Sequence, residues 1–210
     1  MKKIKKEYYF ITILLICFML LTLLVISGKL NFLDELFFKK VINLKNGFLT
    51  TFLYIITNLG STIGTIILLL LTFFIFLRRK AISDFKYVII NVATGTVLMQ
   101  VLKSLIRRIR PSWKWIVQGG FSYPSGHTIT ALLFYGTLML LVHKKVKGRL
   151  RKPLLVGFSL VIFFIAFSRI YFGAHYFSDV LASIILGITI LIISNIFMNK
   201  EFNNDKNRIN

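Results

Sequence analysis

The 210-residue chain is poor in cysteine, proline and acid, with one, three and seven residues respectively. A lone Cys17 excludes an intramolecular disulfide and a cysteine-based zinc cluster. Pro111, Pro124 and Pro153 all fall at the ends of apolar runs, where a missing N–H costs least, so proline interrupts no long helix. Polar stretches long enough to cover a soluble core are also missing. Hydrophobic residues make up 56% of the chain and the mean hydropathy is +0.76, which excludes a soluble domain.

What fills the chain instead is apolar sequence. Six runs, at about 8–27, 52–77, 86–106, 127–143, 154–172 and 178–198, approach or exceed the length that crosses a hydrocarbon core. The first follows Lys2, Lys3, Lys5 and Lys6, but it is long for a signal sequence and no small-residue cleavage site follows Ser27–Gly28, so it reads as a retained helix. The expected fold is all-α: one polytopic domain of six transmembrane helices over 1–198, then a short, disordered polar tail over 199–210.

The formal net charge of +20 suggests nucleic acid only at first sight. The cations are scattered through short loops rather than gathered on a polar face, so no nucleic-acid partner is expected. They carry orientation instead. With the N-terminus inside, four lie in the N-terminal tail, four in 78–86, six in 144–152 and three in the C-terminal tail, leaving ten of the 27 outside. Both termini are therefore expected in the cytoplasm.

This threading places three polar clusters, Lys103–Pro111, Pro124–His127 and Ser168–Asp179, on one outer face. Polar groups near a bilayer are costly and seldom idle. Lys103, Arg107 and Arg110 share a helical face if the third span continues that far, whereas Arg107 and Arg108 fit simple snorkelling anchors at a helix end. Ser125 is placed to cap a helix, and Gly126 lets a ligand approach backbone N–H groups at the positive end of that helix. His175 and Asp179, four residues apart, suit an oriented imidazole nucleophile; the spacing also suits a metal pair, though further ligands are scarce on that face. His143, beside Lys144 and Lys145 at the opposite end, reads as a bystander.

Lys103-x6-Arg110-Pro111, Pro124-Ser125-Gly126-His127 and Ser168-Arg169-x5-His175-x3-Asp179 resemble, in order and spacing, the three signature motifs of the type 2 phosphatidic acid phosphatase superfamily. Its members include lipid phosphate phosphatases, bacterial acid phosphatases and vanadium haloperoxidases, and six spans resemble the membrane lipid phosphatase branch. The resemblance implies that His175 attacks phosphorus, Asp179 orients it, and His127 protonates the leaving oxygen and then activates water. It implies that Lys103, Arg110 and Arg169, with Ser125 and the Gly126 backbone, hold the phosphoryl oxygens without metal or other cofactor. Ser168 supports the phosphate shell or simply packs.

The expected partners are the bilayer and a lipid phosphate at the outer face of the plasma membrane. Undecaprenyl diphosphate is favoured, ahead of phosphatidylglycerophosphate and phosphatidic acid. The competing class is a non-catalytic transporter or binding protein for anionic lipids, which needs the cations but not a His–Asp pair. Two further segments complete the reading. Residues 29–46 carry a stripe of Leu33, Leu36, Phe37, Val41 and Leu44 that fits an interfacial helix or an ordered loop. The small polar residues of Asn58–Gly64 and Asn91–Gln100 are expected to serve helix packing.

Overall fold

The computed structural model describes residues 2–209, with side chains described for 6–200, and contains no strand among them. Helices α1 (Lys2–Ile26), α5 (Ile82–Ile106), α6 (Gly126–Lys145), α7 (Arg151–Tyr171) and α8 (Phe177–Ile209) each contain a stretch long and apolar enough to cross a membrane. Helices α3 (Gly47–Thr57) and α4 (Thr62–Arg78), which bend by 61° about a 3₁₀ turn at Asn58–Gly60, are together long and apolar enough for a sixth crossing. The protein is thus a multi-pass membrane protein, all-helical as expected.

The second span departs from expectation. A continuous helix over 52–77 is broken at Asn58–Ser61 because the sequence there restarts helix: Ser61 Oγ accepts from Gly64 N at 3.0 Å and caps α4. Helix α4, the longer half of the pair, rises roughly 25 Å over its 17 residues. Its first turn borders one cavity and its last borders another at the far end of the bundle. Helix α3 lies against the end of α7, where Leu53 packs in a cluster with Tyr171 and Phe172 and Thr50 Oγ1 meets the Tyr171 hydroxyl at 2.6 Å.

Helix α6 is the most enclosed of the crossing helices. Ile129 and Leu133 on it join Val88 and Val92 of α5, Ile165 of α7 and Leu186 of α8 in one buried cluster. By contrast α4 leaves Ile63, Ile66, Ile67, Leu70 and Leu71 exposed, a face suited to lipid. Helix α1 approaches the site end through its later turns, where Thr22 Oγ1 meets the Tyr123 hydroxyl at 2.7 Å.

Two other expectations change. The segment after residue 198 continues as helix to Ile209 rather than as a disordered tail; beyond Gly187 no glycine or proline breaks α8. Residues 29–46 do form a helix, α2 (Asn31–Ile42), but its decisive inward residue is polar. Asp34 is 1% exposed on a helix whose Phe32 is 75% exposed.

Candidate active site

The three polar clusters meet at one end of the bundle. Lys103 comes from the last turn of α5, Arg110 from the loop after it, Gly126 and His127 from the first turn of α6, and His175 from the turn between α7 and α8. All five line one cavity of about 510 Å³. Gly173 makes the last of these turns, with φ +62, and a Cβ there would lie 3.1 Å from the Trp113 carbonyl oxygen. Both the positive φ and the close approach require glycine.

The cations are fixed by carbonyl groups. Lys103 Nζ donates to the Phe121 carbonyl at 2.5 Å. Arg110 Nε donates to the Gly119 and Gly120 carbonyls, each at 3.0 Å, and its Nη1 donates to the Ala174 carbonyl at 2.7 Å. Such bonds orient the charges without neutralising them, so they remain available to an anion. Burial lowers the pKa of Arg110 from the ordinary guanidinium value, while Asp179 acts in the opposite direction.

His175 is 2% exposed and sits between Arg110 and Asp179. Its Nε2 lies 3.0 Å from Arg110 Nη1, and its Nδ1 lies 3.4 Å from Asp179 Oδ2. A guanidinium only donates, so Nε2 is the acceptor and the proton resides on Nδ1, facing the carboxylate. Burial pushes the His175 pKa down to about 3, with Asp179 opposing and Arg169 and Arg110 reinforcing the shift. The imidazole is therefore neutral, with Nδ1 protonated and an Nε2 lone pair that accepts from Arg110 Nη1 beside the cavity; this tautomer is the form a nucleophile needs.

Three motif residues, Arg169, Ser125 and Ser168, do not line the cavity. Arg169 is 1% exposed; its Nη1 donates to Thr57 Oγ1 at 3.0 Å and its Nη2 to Gln118 Oε1 at 2.9 Å, while Nε has no hydrogen-bond partner among the described residues. Gln118, not Arg169, forms the lining. Ser125 occupies the N-cap position of α6, but its hydroxyl meets Thr128 Oγ1 at 2.9 Å instead of capping a backbone N–H. Its backbone ties α6 to α8, since Ser125 N donates to the Asp179 carbonyl at 3.4 Å and Ser183 Oγ donates to the Ser125 carbonyl at 3.0 Å. Ser168 Oγ donates to the Ile165 carbonyl at 2.6 Å and meets Thr57 Oγ1 at 2.9 Å, a packing role within the wall.

Other residues emerge only in three dimensions. Helix α5 ends at Ile106 and Arg107 turns to φ +50, so Lys103, Arg107 and Arg110 do not continue along one helical face. The reversal leaves Arg107 exposed and sends Arg108 inward, where it is no snorkelling anchor: Nη1 donates to Asp179 Oδ1 at 2.7 Å and Nη2 to Asp34 Oδ2 at 2.7 Å. Burial opposes the Arg108 charge, but Asp179 and Asp34 outweigh it and raise its pKa. Ser122 Oγ donates to Asp179 Oδ2. Gly60, Thr62, Thr65, Thr96 and Gln100 line the cavity, so part of the small polar sequence assigned to helix packing borders the site. A Cβ at Gly95 would clash with the Leu133 side chain, so packing does explain that glycine.

Among the described residues no group of three or more His, Cys, Asp or Glu side chains is placed to hold a metal ion. His143 lies at the opposite end of α6, exposed, with Arg151 Nη2 2.7 Å from its Nδ1.

Comparison with known proteins fits this geometry. The family model of the PAP2 superfamily matches residues 84–203, which hold all three clusters. Phosphatidylglycerophosphatase B of Bacillus subtilis (strain 168) is 25% identical over 184 residues, covering 86% of this chain and 90% of that protein. The crystal structure of a transmembrane PAP2 type phosphatidylglycerolphosphate phosphatase from Bacillus subtilis superposes with a TM-score of 0.81 at 25% identity, covering 91% of this chain and 97% of that one. Aquifex aeolicus LpxE superposes with a TM-score of 0.59 at 27% identity, covering 78% and 92%.

Proposed function

The chain belongs to the PAP2 superfamily as a membrane lipid phosphate phosphatase, and from that premise we propose that it hydrolyses a lipid phosphomonoester through a phosphohistidine on His175. The observation that carries the mechanism is the seat of His175 at the cavity, with Nε2 against Arg110 and Nδ1 facing Asp179. Nε2 attacks phosphorus as the bond from phosphorus to the lipid oxygen breaks, and His127, protonated beside the bound phosphoryl anion, gives its proton to that oxygen. His127 then takes a proton from water as the water oxygen attacks phosphorus; the phosphorus–nitrogen bond breaks and inorganic phosphate leaves. Lys103, Arg110 and the Gly126 backbone hold the phosphoryl oxygens, with Arg169 adding charge from behind Gln118 and Ser125 fixing the helix start. Phosphoryl transfer is chiefly positioning and charge stabilisation, which this cradle supplies without calling on metal.

Phosphatidylglycerophosphate is the preferred substrate in this reading, because the similar Bacillus subtilis phosphatase and the solved structure from that organism carry that activity in their names. It moves ahead of undecaprenyl diphosphate, which the sequence favoured on family expectation alone. The site faces the extracytoplasmic side of the plasma membrane, because the larger share of cations lies in the N-terminal tail, the C-terminal tail and the two loops expected inside. Phosphate release by purified protein from phosphatidylglycerophosphate, phosphatidic acid and undecaprenyl diphosphate, with and without EDTA, tests substrate and mechanism together. The first lipid should be turned over most efficiently and EDTA should have no effect; EDTA-sensitive release counts against the cradle. Phosphate binding without release would return the chain to the transporter class. A cysteine at Ser112 should react with an impermeant reagent from outside and one at Lys147 should not.

A further inference from the structure

The proposed mechanism uses His175 and Asp179 but leaves a buried carboxylate unexplained. Asp34, on the short helix α2, is as enclosed as Asp179 and lies 144 residues from its partner Ser178. It accepts from Ser178 N at 2.8 Å, Ser178 Oγ at 2.7 Å and Arg108 Nη2 at 2.7 Å. The other arm of the same guanidinium holds Asp179 Oδ1 at 2.7 Å. One cation is thus shared between a carboxylate on α2 and the carboxylate that faces the nucleophile.

The sharing has an electrostatic consequence. An arginine that faces one carboxylate tends to grip it through both arms and neutralise it. Here the second arm is taken by Asp34, so Asp179 keeps more of its charge for His175. Asp179 is also held in orientation: Oδ1 accepts from Arg108, while Oδ2 accepts from Ser122 Oγ and from Tyr176 N at 3.0 Å. The Arg108 guanidinium lies 3.8 Å from the centre of the Tyr176 ring, which limits its movement.

Aromatic contacts seat α2 on the same turn. Phe37 stacks on Phe177 with centroids 3.9 Å apart, and Phe38 stacks on Trp113 at 5.2 Å. Trp113 meets the Tyr176 edge at 5.7 Å. Helix α2 is therefore docked, through the turn that follows Asp34, against the segment that carries the nucleophile.

We propose that Asp34 is a positioning residue for phosphoryl transfer, acting through Arg108 to hold Asp179 oriented and charged behind His175. This rests on the assignment of His175 as nucleophile. It makes α2 part of the catalytic frame as well as a surface helix, and it predicts that damage to the clamp slows chemistry while leaving phosphate binding intact.

Asp34→Asn keeps the shape and removes the charge. The expected result is a fall in kcat of about tenfold with KM changed by no more than about twofold, the scale usual for loss of an outer positioning partner. Competitive inhibition by inorganic phosphate should stay within about twofold, since Lys103, Arg110 and Gly126 are untouched. Arg108→Lys, which keeps one charge but lacks the fork, should reproduce the pattern and serves as the second variant if Asp34→Asn does not fold. In a double-mutant cycle, Asp34→Asn should cost little more once Arg108→Gln is present. Wild-type kcat in Asp34→Asn, a defect confined to KM, or fully additive losses in the cycle overturn the proposal. His175→Ala is assayed alongside. If it is inactive while Asp34→Asn is normal, only the clamp is wrong; if it stays active, the nucleophile assignment itself fails.

Discussion

The two ends of the bundle hold similar residues. At one end lie His175, His127, Lys103, Arg110 and Asp179; at the other lie His143, Lys144, Lys145, Arg151 and Asp84. Each end has a cavity, about 510 Å³ at the first and about 610 Å³ at the second, so volume does not separate them. What differs is constraint. At the motif end the carboxylate is fully buried, and Arg110 and Lys103 are tied to loop carbonyls. At the other end Asp84 is buried too, but its partner Lys145 is 43% exposed and His143 is exposed. A charge that keeps its hydration shell and its rotamers must be reorganised before it helps a reaction; one already fixed in a dry site need not be. Residue type alone makes neither end a catalyst.

Exchanging the histidines between roles breaks this comparison most sharply. His175→Ala should lower kcat/KM by roughly 10³-fold or more, as loss of a nucleophile does. His143→Ala should stay within about twofold of wild type. Steady-state phosphate release on a lipid phosphate measures both. Equal losses in the two variants mean that the contrast between the ends is false.

A smaller effect is expected at Gly126. A Cβ there would make only ordinary contact with Met99 Cε, at 3.5 Å, so packing in the empty site does not demand glycine. If the helix start receives the phosphoryl group, Gly126→Ala should leave the melting temperature within about 2 °C yet raise KM by about tenfold, a loss of about 1.4 kcal/mol in binding. A lowered melting temperature with KM unchanged would assign the glycine to folding instead.

The smallest expected effect is a flat line. His175 has its pKa pushed down to about 3, so it is already neutral at pH 6 and stays neutral up to pH 8. With an activated aryl phosphate, whose leaving group needs little acid assistance, the rate of phosphoenzyme formation should not fall with a midpoint near 6.5, the ordinary histidine value, as pH drops across that range. A fall with a midpoint near 6.5 would mean that burial does not control the nucleophile.

These contrasts also mark what the sequence made legible. The apolar segments able to cross a membrane and the convergence of the three clusters followed from apolar run length and from prolines at run ends, both local properties, whereas the extra helices α2 and α3 did not. His175, Asp179 and the cations were legible because their spacing is local to one turn or loop. Arg108 was misread because its role depends on a left-handed turn at Arg107, and nothing in the run Arg107–Arg108 shows which side chain faces inward. Asp34 was missed for a related reason: the apolar stripe of 29–46 drew attention to the lipid-facing side, while the partners of Asp34 lie 74 and 144 residues away. One signal was present, an acidic residue in an apolar segment of a chain with only seven acids. The break at Asn58–Ser61 was likewise visible as small polar residues but was read as packing.

The central claim is that the motif end works by covalent transfer to a constrained histidine. Rapid acid-free quenching during turnover of ³²P-labelled phosphatidylglycerophosphate, followed by peptide mapping, tests it most directly. The account predicts a label on the peptide containing His175, stable in alkali and lost in acid, and absent from His175→Ala. A label that persists in His175→Ala, or turnover by the wild-type protein with no label on that peptide at any quench time, would contradict it.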